Sequence, residues 1–544
     1  MSPPIQPALL ILFSSLFLWI ILTRFVVRSP LAKIPGPPKE SWWRGNYSQL
    51  FDTSGWQFHH DIVNKYGSVV KIYGLFGDEQ LYISDPLAIY HILSKDQDIY
   101  AKSDGVIVQG LLAFGPGLLS TRGERHKKQR KMMNPVFSMK HMRGLYPVMT
   151  PIALQIRDVL TSQVMSGNQD INVLKWISRG ALEYIGQGGL GYSFDALDDA
   201  TTDDYFESIR KFNSAAFNLV IFRNFMLPII NHVSPELRRK LVEWAPFRSV
   251  QRVKEIVDTM HNASVTIFND KKEALAKGDE EVVQQVGQGR DIMSILLRAN
   301  TAPNAGDRLP DNELLAQINT FIQGAHDTVA SALCRILHQL ALHPEVQSRL
   351  RDEIVQARME NSDLDYDALM GLPYLDAVTR ETLRMFPPLP FSLRVTNKAV
   401  VLPLKWPIKS TDGKSEITQI PLKNRTTVVI ATMAVNRSKA IWGEDADVWN
   451  PERWLAPLPP SVAEAHLPGI YGSMLTFLGG VRSCIGFKFA EMETKLTLST
   501  LLETFKFEPS SKEVQWDMRF IQTPTLKGSG DTSPQLPMKI SLVE

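Results

Sequence analysis

Only two of the 544 residues are cysteine, and one of them, Cys484, lies in Phe477-Leu-Gly-Gly-Val-Arg-Ser-Cys-Ile-Gly-Phe487, with Arg482 two residues before it and Gly486 two after. Two kinds of chemistry fit such a thiol. It can be inert, because free cysteine packs as a small hydrophobe. It can also be a thiolate serving as a metal ligand, held by nearby positive charge or amide donors. A second group is Gly324-Ala-His-Asp327-Thr328. An ionisable side chain beside a hydroxyl in an apolar stretch suits proton delivery. Thr328 can equally bond back to the carbonyl of Gly324 and simply bend a core helix. A third is Glu381 with Arg384, three residues apart and able to pair on a helix, followed downstream by Arg453 in Pro-Glu-Arg-Trp. On a surface such a pair is worth a few tenths of a kcal/mol; buried, one carboxylate could serve two guanidiniums.

The elements that must carry these residues are mostly helical. From Asp311, an expected N-cap, to His343 before Pro344, the residues Leu314, Ile318, Phe321, Ala325, Val329, Ala332, Ile336 and Leu340 follow the helical period. That predicts one helix of ~45–50 Å crossing the middle of the molecule. Cys334 lies within it as a core thiol. A β-hairpin is expected on both sides of Gly77-Asp78, and a second β region from Val400 to Thr432, with turns at Asp412-Gly413 and Lys423-Asn424. Residues 278–289 read as a polar connector, and no repeat is visible. The expected fold is mainly α with small β-sheets, in one body.

The N-terminus reads as membrane-bound. Ala8–Leu22 is uncharged and apolar and extends to Val27 if Arg24 snorkels, giving about 20 residues, enough for one span. Arg24, Arg28 and Lys33 follow it and no cation precedes it, which leaves the bulk of the chain cytosolic. With no basic leader or small-residue cleavage site, it reads as an uncleaved anchor. The expected division is a lumenal 1–7, a transmembrane helix 8–27, a proline-rich linker 28–45 acting as a stiff spacer, and a catalytic domain 46–544. A net charge of +2 gives no global attraction to nucleic acid, and two cysteines exclude a disulfide scaffold.

Together these motifs resemble the cytochrome P450 family, in its membrane-anchored, fungal-like form. Residues 477–486 fit the haem loop F-x-x-G-x-R-x-C-x-G at Phe477, Gly479, Arg482, Cys484 and Gly486; Glu381-x-x-Arg384 fits the buried helix pair, and Arg453 the P-E-R-F/W segment. The resemblance implies the P450 fold, a single large helical domain around a buried haem b. Cys484 would be the axial iron ligand, Arg482 would hold a propionate, and Arg130 and Arg394 are further propionate candidates. Asp327 and Thr328 would deliver protons to iron-bound oxygen. Two departures stand out: His126 occupies the tryptophan position of W-x-x-x-R, and Ala325 and Val329 replace the usual glycine and second hydroxyl.

By function, the resemblance implies a monooxygenase of the endoplasmic reticulum membrane, single-pass, acting on a lipophilic small molecule with O2. No G-x-G-x-x-G fingerprint is present, so electrons must come from another protein: NADPH–cytochrome P450 reductase, with cytochrome b5 as a further partner. The basic run Arg122, Arg125, Lys127, Lys128, Arg130 and Lys131 suits an acidic flavoprotein. Expected pocket linings are 107–114, 212–222, 388–393 and 521–525, and by analogy the substrate is a fungal terpenoid or other secondary metabolite. The competing readings are a haem-thiolate isomerase or dehydratase needing no O2, and a non-catalytic haem-binding membrane protein.

Overall fold

The apolar period between 311 and 343 is realised as one unbroken helix, Asp311–Leu342, of 32 residues. Its N-cap is Pro310 rather than Asp311. Asp311 and Glu313 occupy the first turn instead, where the partial positive charge of the helix start favours acids. Leu314, Ile318, Phe321, Val329, Ala332, Ile336, Leu340 and Cys334 are buried. In this computed structural model the described residues are 29–543, without 169, 199–203, 279–286, 288, 302–307, 362–363 and 532. The expected anchor 8–27 and most of the connector 278–289 therefore lie outside the described residues, and among those described no helix is long and apolar enough to cross a membrane.

The long helix packs against Val173–Glu183, Arg248–Lys277, Pro373–Met385 and Phe487–Thr504. The architecture is mainly helical, with one five-stranded sheet and four smaller ones among the described residues. The hairpin forms as expected, Val69–Tyr73 against Glu79–Ile83, with Val69 opposite Ile83. The second β region splits. Val400–Lys409 pairs with Glu416–Leu422 around the expected turn, whereas Thr427–Ile430 leaves them and joins the first sheet, parallel to Glu79–Ile83 and antiparallel to Ser392–Thr396. Tyr100–Lys102 completes the sheet beside Ser392–Thr396, placing Lys102 opposite Arg394.

The linker does not stand clear of the body as a spacer. Leu31 and Ile34 are buried in the core beside the hairpin residues Val69 and Leu81, and Lys71 N–H donates to Pro35 O at 2.8 Å. At Gly36 a Cβ would sit 1.9 Å from Lys71 O, so glycine is required for the segment to lie this close to the sheet.

Candidate active site

The thiol loop is shaped by backbone crowding. The strand Met474–Gly479 runs into a 3-10 turn Gly480–Arg482, and the helix Phe487–Thr504 starts just after Cys484. A Cβ on Gly479 would sit 2.0 Å from Pro468 O; one on Gly480, at φ +68°, would sit 1.8 Å from Leu93 O. Only glycine fits either place. Gly486 has no such need, since its φ is −92° and a Cβ would meet Phe137 at an ordinary 3.7 Å. Gly479 clears the chain's own backbone, and Gly480, which the motif leaves undefined, carries the strained conformation.

Cys484 N–H donates to Phe477 O at 2.9 Å, and Phe477 packs edge-on to Tyr471 with centroids 5.4 Å apart. The sulfur lies deep enough for burial to push its pKa up, against the Gly486 amide and Arg130, which lower it. Yet the residue is exposed. Both hold when a side chain faces an internal cavity. A bound cation would offset that burial and hold the sulfur as a thiolate.

Around the loop stand cations without carboxylates. Arg130 donates to Ser483 O and Oγ at 2.6 and 3.1 Å, Arg482 to Thr121 O at 2.7 Å, Arg394 to Leu393 O at 3.1 Å and Lys102 to Leu119 O at 2.9 Å. Burial pushes Arg394 down to about 10 and, with Arg394 and other guanidiniums nearby, Arg482 also to about 10. Lys102 falls to about 7 through burial and then Arg482 and Arg394. His126 is buried rather than solvated, held down to about 3 by burial and by Arg482. Arg122 takes up the nearby acid, Asp104, at 2.8 Å. Arg394 is buried and Arg130, Arg482 and Lys102 are half-buried, and cations gathered in this number need anionic partners. The two propionates of a haem would supply them, so the residues present fit the group.

The middle of the long helix opens onto space. Gly324 is exposed among the half-buried Gln323, Ala325, Asp327 and Thr328, and a Cβ there would meet nothing within 4 Å. Thr328 Oγ1 donates to Gly324 O at 2.6 Å. Asp327 is not free: Asn213 Nδ2 donates to its Oδ2 at 2.5 Å, His326 Nδ1 lies 2.9 Å from its Oδ1, and Gln323 Nε2 donates to Asn213 Oδ1 at 3.0 Å. Phe137 bridges this helix and the thiol loop. It lies beside Gly486 and edge-on to Phe321, centroids 5.8 Å apart.

The third group comes together fully buried. Arg384 Nη2 and Nε donate to both oxygens of Glu381 at 2.8 and 2.9 Å, and its Nη1 donates to Asn436 O and Ala446 O, each at 2.7 Å. Trp454 Nε1 and Asn450 N–H also donate to Glu381, both at 3.0 Å; Arg453 Nε is looser at 3.5 Å and binds Trp442 O and Asp445. This network bolts the helix Pro373–Met385 to the segment leading into the thiol strand.

The expected linings also converge. Phe114 meets Phe212 at 5.1 Å, and Phe217 meets Phe520 at 5.1 Å and Phe51 at 6.4 Å, which also meets Phe391. Sequence reading missed Lys102, Gln323, Ser483, Phe51 and Phe520, and took Asn213 only as part of the lining 212–222. Lys102 sits in a three-residue strand with no motif, and Asn213 and Gln323 become neighbours only through the packing of two helices.

A family model described as Cytochrome P450 matches residues 35–527. Cytochrome P450 monooxygenase 91 of Postia placenta is 46% identical over 97% of this chain and 97% of its own length. Cytochrome P450 monooxygenase 212 of the same fungus is 46% identical over 94% of each chain. A ganoderic acid synthetase of Ganoderma lucidum is 41% identical over 96% of each. The carboxylate-free cations, the thiol facing a cavity and these matches agree: the chain belongs to the cytochrome P450 family, an oxidoreductase of the monooxygenase class that works with haem b, O2 and a redox partner.

Proposed function

We propose that this monooxygenase hydroxylates, or otherwise oxidises, a bulky terpenoid-like molecule of fungal secondary metabolism at the endoplasmic reticulum membrane, with its electrons drawn from NADPH–cytochrome P450 reductase and assisted by cytochrome b5. A juxtaposition carries the reading. Cys484 and Gly324 are both open, deep in the molecule, on either side of the Phe137–Phe321 pair. In this assignment Cys484 ligates the iron and Phe477, Gly479 and Gly486 shape its loop. Arg482, Arg394 and Arg130, with buried His126, take the propionates. The bound haem supplies O2 activation, which no side chain can. Asp327 and Thr328 hold and pass protons at their carboxylate and hydroxyl oxygens, while the aromatic lining orients an apolar molecule and excludes water.

The terpenoid assignment draws on the named activity of the Ganoderma relative and on the apolar lining. A cytosolic body on an anchor at 8–27 is supported by the cations that flank that span on its C-terminal side. It is supported too by an exposed apolar rim, in which Trp42, 73% exposed, meets Phe76 at 6.0 Å and Phe76 meets Phe225 at 6.2 Å.

Two measurements test this. Cys484→Ser should remove the red-shifted absorption of the ferrous–CO complex, which needs thiolate charge, while Cys334→Ser leaves it intact; the reverse pattern would sink the ligand assignment. With reductase and a terpenoid panel, product should form only with NADPH and O2. Turnover needing neither would favour an isomerase.

A further inference from the structure

Two turns beyond Thr328 on the long helix, Arg335 ends where nothing balances its charge. Its side chain is buried, it donates to Gln522 Oε1 at 3.3 Å, its Nε has no acceptor, and no carboxylate pairs with it among the described residues. The guanidinium lies instead against aromatic rings, 3.6 Å from the centroid of Trp516, 4.3 Å from Phe386 and 5.8 Å from Trp56. Arg437 approaches two of the same rings, at 5.0 Å from Phe386 and 5.8 Å from Trp56. Its Nε donates to Met385 O at 2.9 Å, and its carboxylate neighbour Asp447 stands off at 3.8 Å. The two arginines line one cavity of about 360 Å3, with Thr53, Ser54 and Gln515 on its wall.

Ring faces attract a guanidinium but accept few of its five N–H bonds. The acid that also lines this cavity, Asp517, is already engaged, accepting from Arg519 at 2.9 Å, Thr525 at 3.1 Å and Gln515 at 3.3 Å. Positive charge, unused donors and hydroxyls therefore face a space large enough for a small molecule. A planar carboxylate matches a guanidinium fork better than any neutral group, and the indole of Trp56 suits a flat apolar body. We infer that this cavity is a second small-molecule site, separate from the thiol site, which takes a flat organic carboxylate on Arg335 and Arg437.

The site has a route to the rest of the molecule. Gln522, which Arg335 contacts, also donates to Pro387 O and Pro388 O at 3.0 and 2.9 Å and accepts from Ser331 Oγ at 2.6 Å.

The test uses the full-length holoenzyme in nanodiscs, with an azole on the haem iron to fill the main cavity. Sodium benzoate is titrated by calorimetry against benzamide, its neutral isostere, and against inorganic phosphate, an anion with no apolar body. The expected result is one benzoate per chain, no measurable benzamide binding, and at least tenfold weaker benzoate binding in Arg437→Gln. That variant's azole spectrum reports whether it is folded, and it decides the matter should the more buried Arg335→Gln fail to fold. The inference is overturned by absent benzoate heat, by equal binding of benzamide, by an unchanged affinity in Arg437→Gln, or by phosphate binding in place of benzoate.

Discussion

Thr328 keeps its hydroxyl on its own helix, bonded to Gly324 O where the middle of that helix is open. Replacing it with alanine removes one hydrogen bond, at about 1 kcal/mol, and should leave haem content unchanged. The ratio of hydroxylated product to NADPH oxidised should fall, with hydrogen peroxide making up the difference; an unchanged ratio would remove Thr328 from proton delivery. The neighbouring Asp327 is tied to Asn213 at 2.5 Å, so Asn213→Ala, which leaves the carboxylate with His326 alone, is expected to lower the same ratio. A purely structural role for Asn213 would lower expression and leave the ratio alone. The residues proposed for the chemistry were the most legible in the sequence, because thiol, acid and hydroxyl stand out against apolar surroundings. Lys102 did not. A lone lysine carries no pattern, and its importance comes from Arg394 across the strand pair and from Arg482.

At the scale of elements, the helix Pro373–Met385 depends on the Glu381–Arg384 pair, in which both side chains are fully buried. Truncating Arg384 to leucine strands a buried carboxylate, at a cost of about 3–5 kcal/mol, a large part of a typical folding free energy. The expected outcome is little or no haem-loaded protein, and Arg384→Lys, which loses the two-pronged contact, should lower the melting temperature. The helix Gly123–Met133 is less uniform than its basic sequence suggested. Arg122 pairs with Asp104, Arg125 with Glu313 and Lys127 with Glu124, while Arg130 turns inward to Ser483. Lys127, whose pair with Glu124 is itself exposed, and Lys128, which donates to Arg308 O at 2.8 Å, stay at the surface, where docking of a reductase would fall. Reversing both charges should slow reductase-supported turnover and flatten its salt dependence, with peroxide-driven turnover unaffected; equal loss in both assays would point to misfolding. Helix extent and the hairpin were readable because periodicity is local. The pairing of Thr427–Ile430 with Glu79–Ile83 was not, since a period identifies a strand and never its distant parallel partner.

The whole molecule buries titratable groups that make its stability depend on pH. His59 is stacked on Phe391, with its ring nitrogens 2.9 Å from Tyr82 OH and 3.1 Å from Leu50 O, and burial holds it down to about 4. The unfolded chain, with histidine near 6.5, binds this proton first, so His59 costs stability as pH falls from about 6.5 towards 4, at up to about 1.4 kcal/mol per pH unit. Glu493, fully buried with both oxygens unpartnered, is pushed up and acts in the opposite sense, so the clean measurement is a difference. His59→Gln should be less stable than the parent at pH 7 and lose that deficit towards pH 4.5; a constant deficit would mean that His59 does not titrate in this window. If residues 8–27 form the proposed span, the burial of Leu31 would also set how the body hangs from the bilayer. With the proposed span ending at Val27, only four residues lead to Leu31, which is locked in the core, a reach of at most ~14 Å. So short a leash would leave the body almost no freedom to swing. Its angle to the lipid, and the height at which a greasy molecule can pass from bilayer to cavity, would be fixed by the length of the chain there.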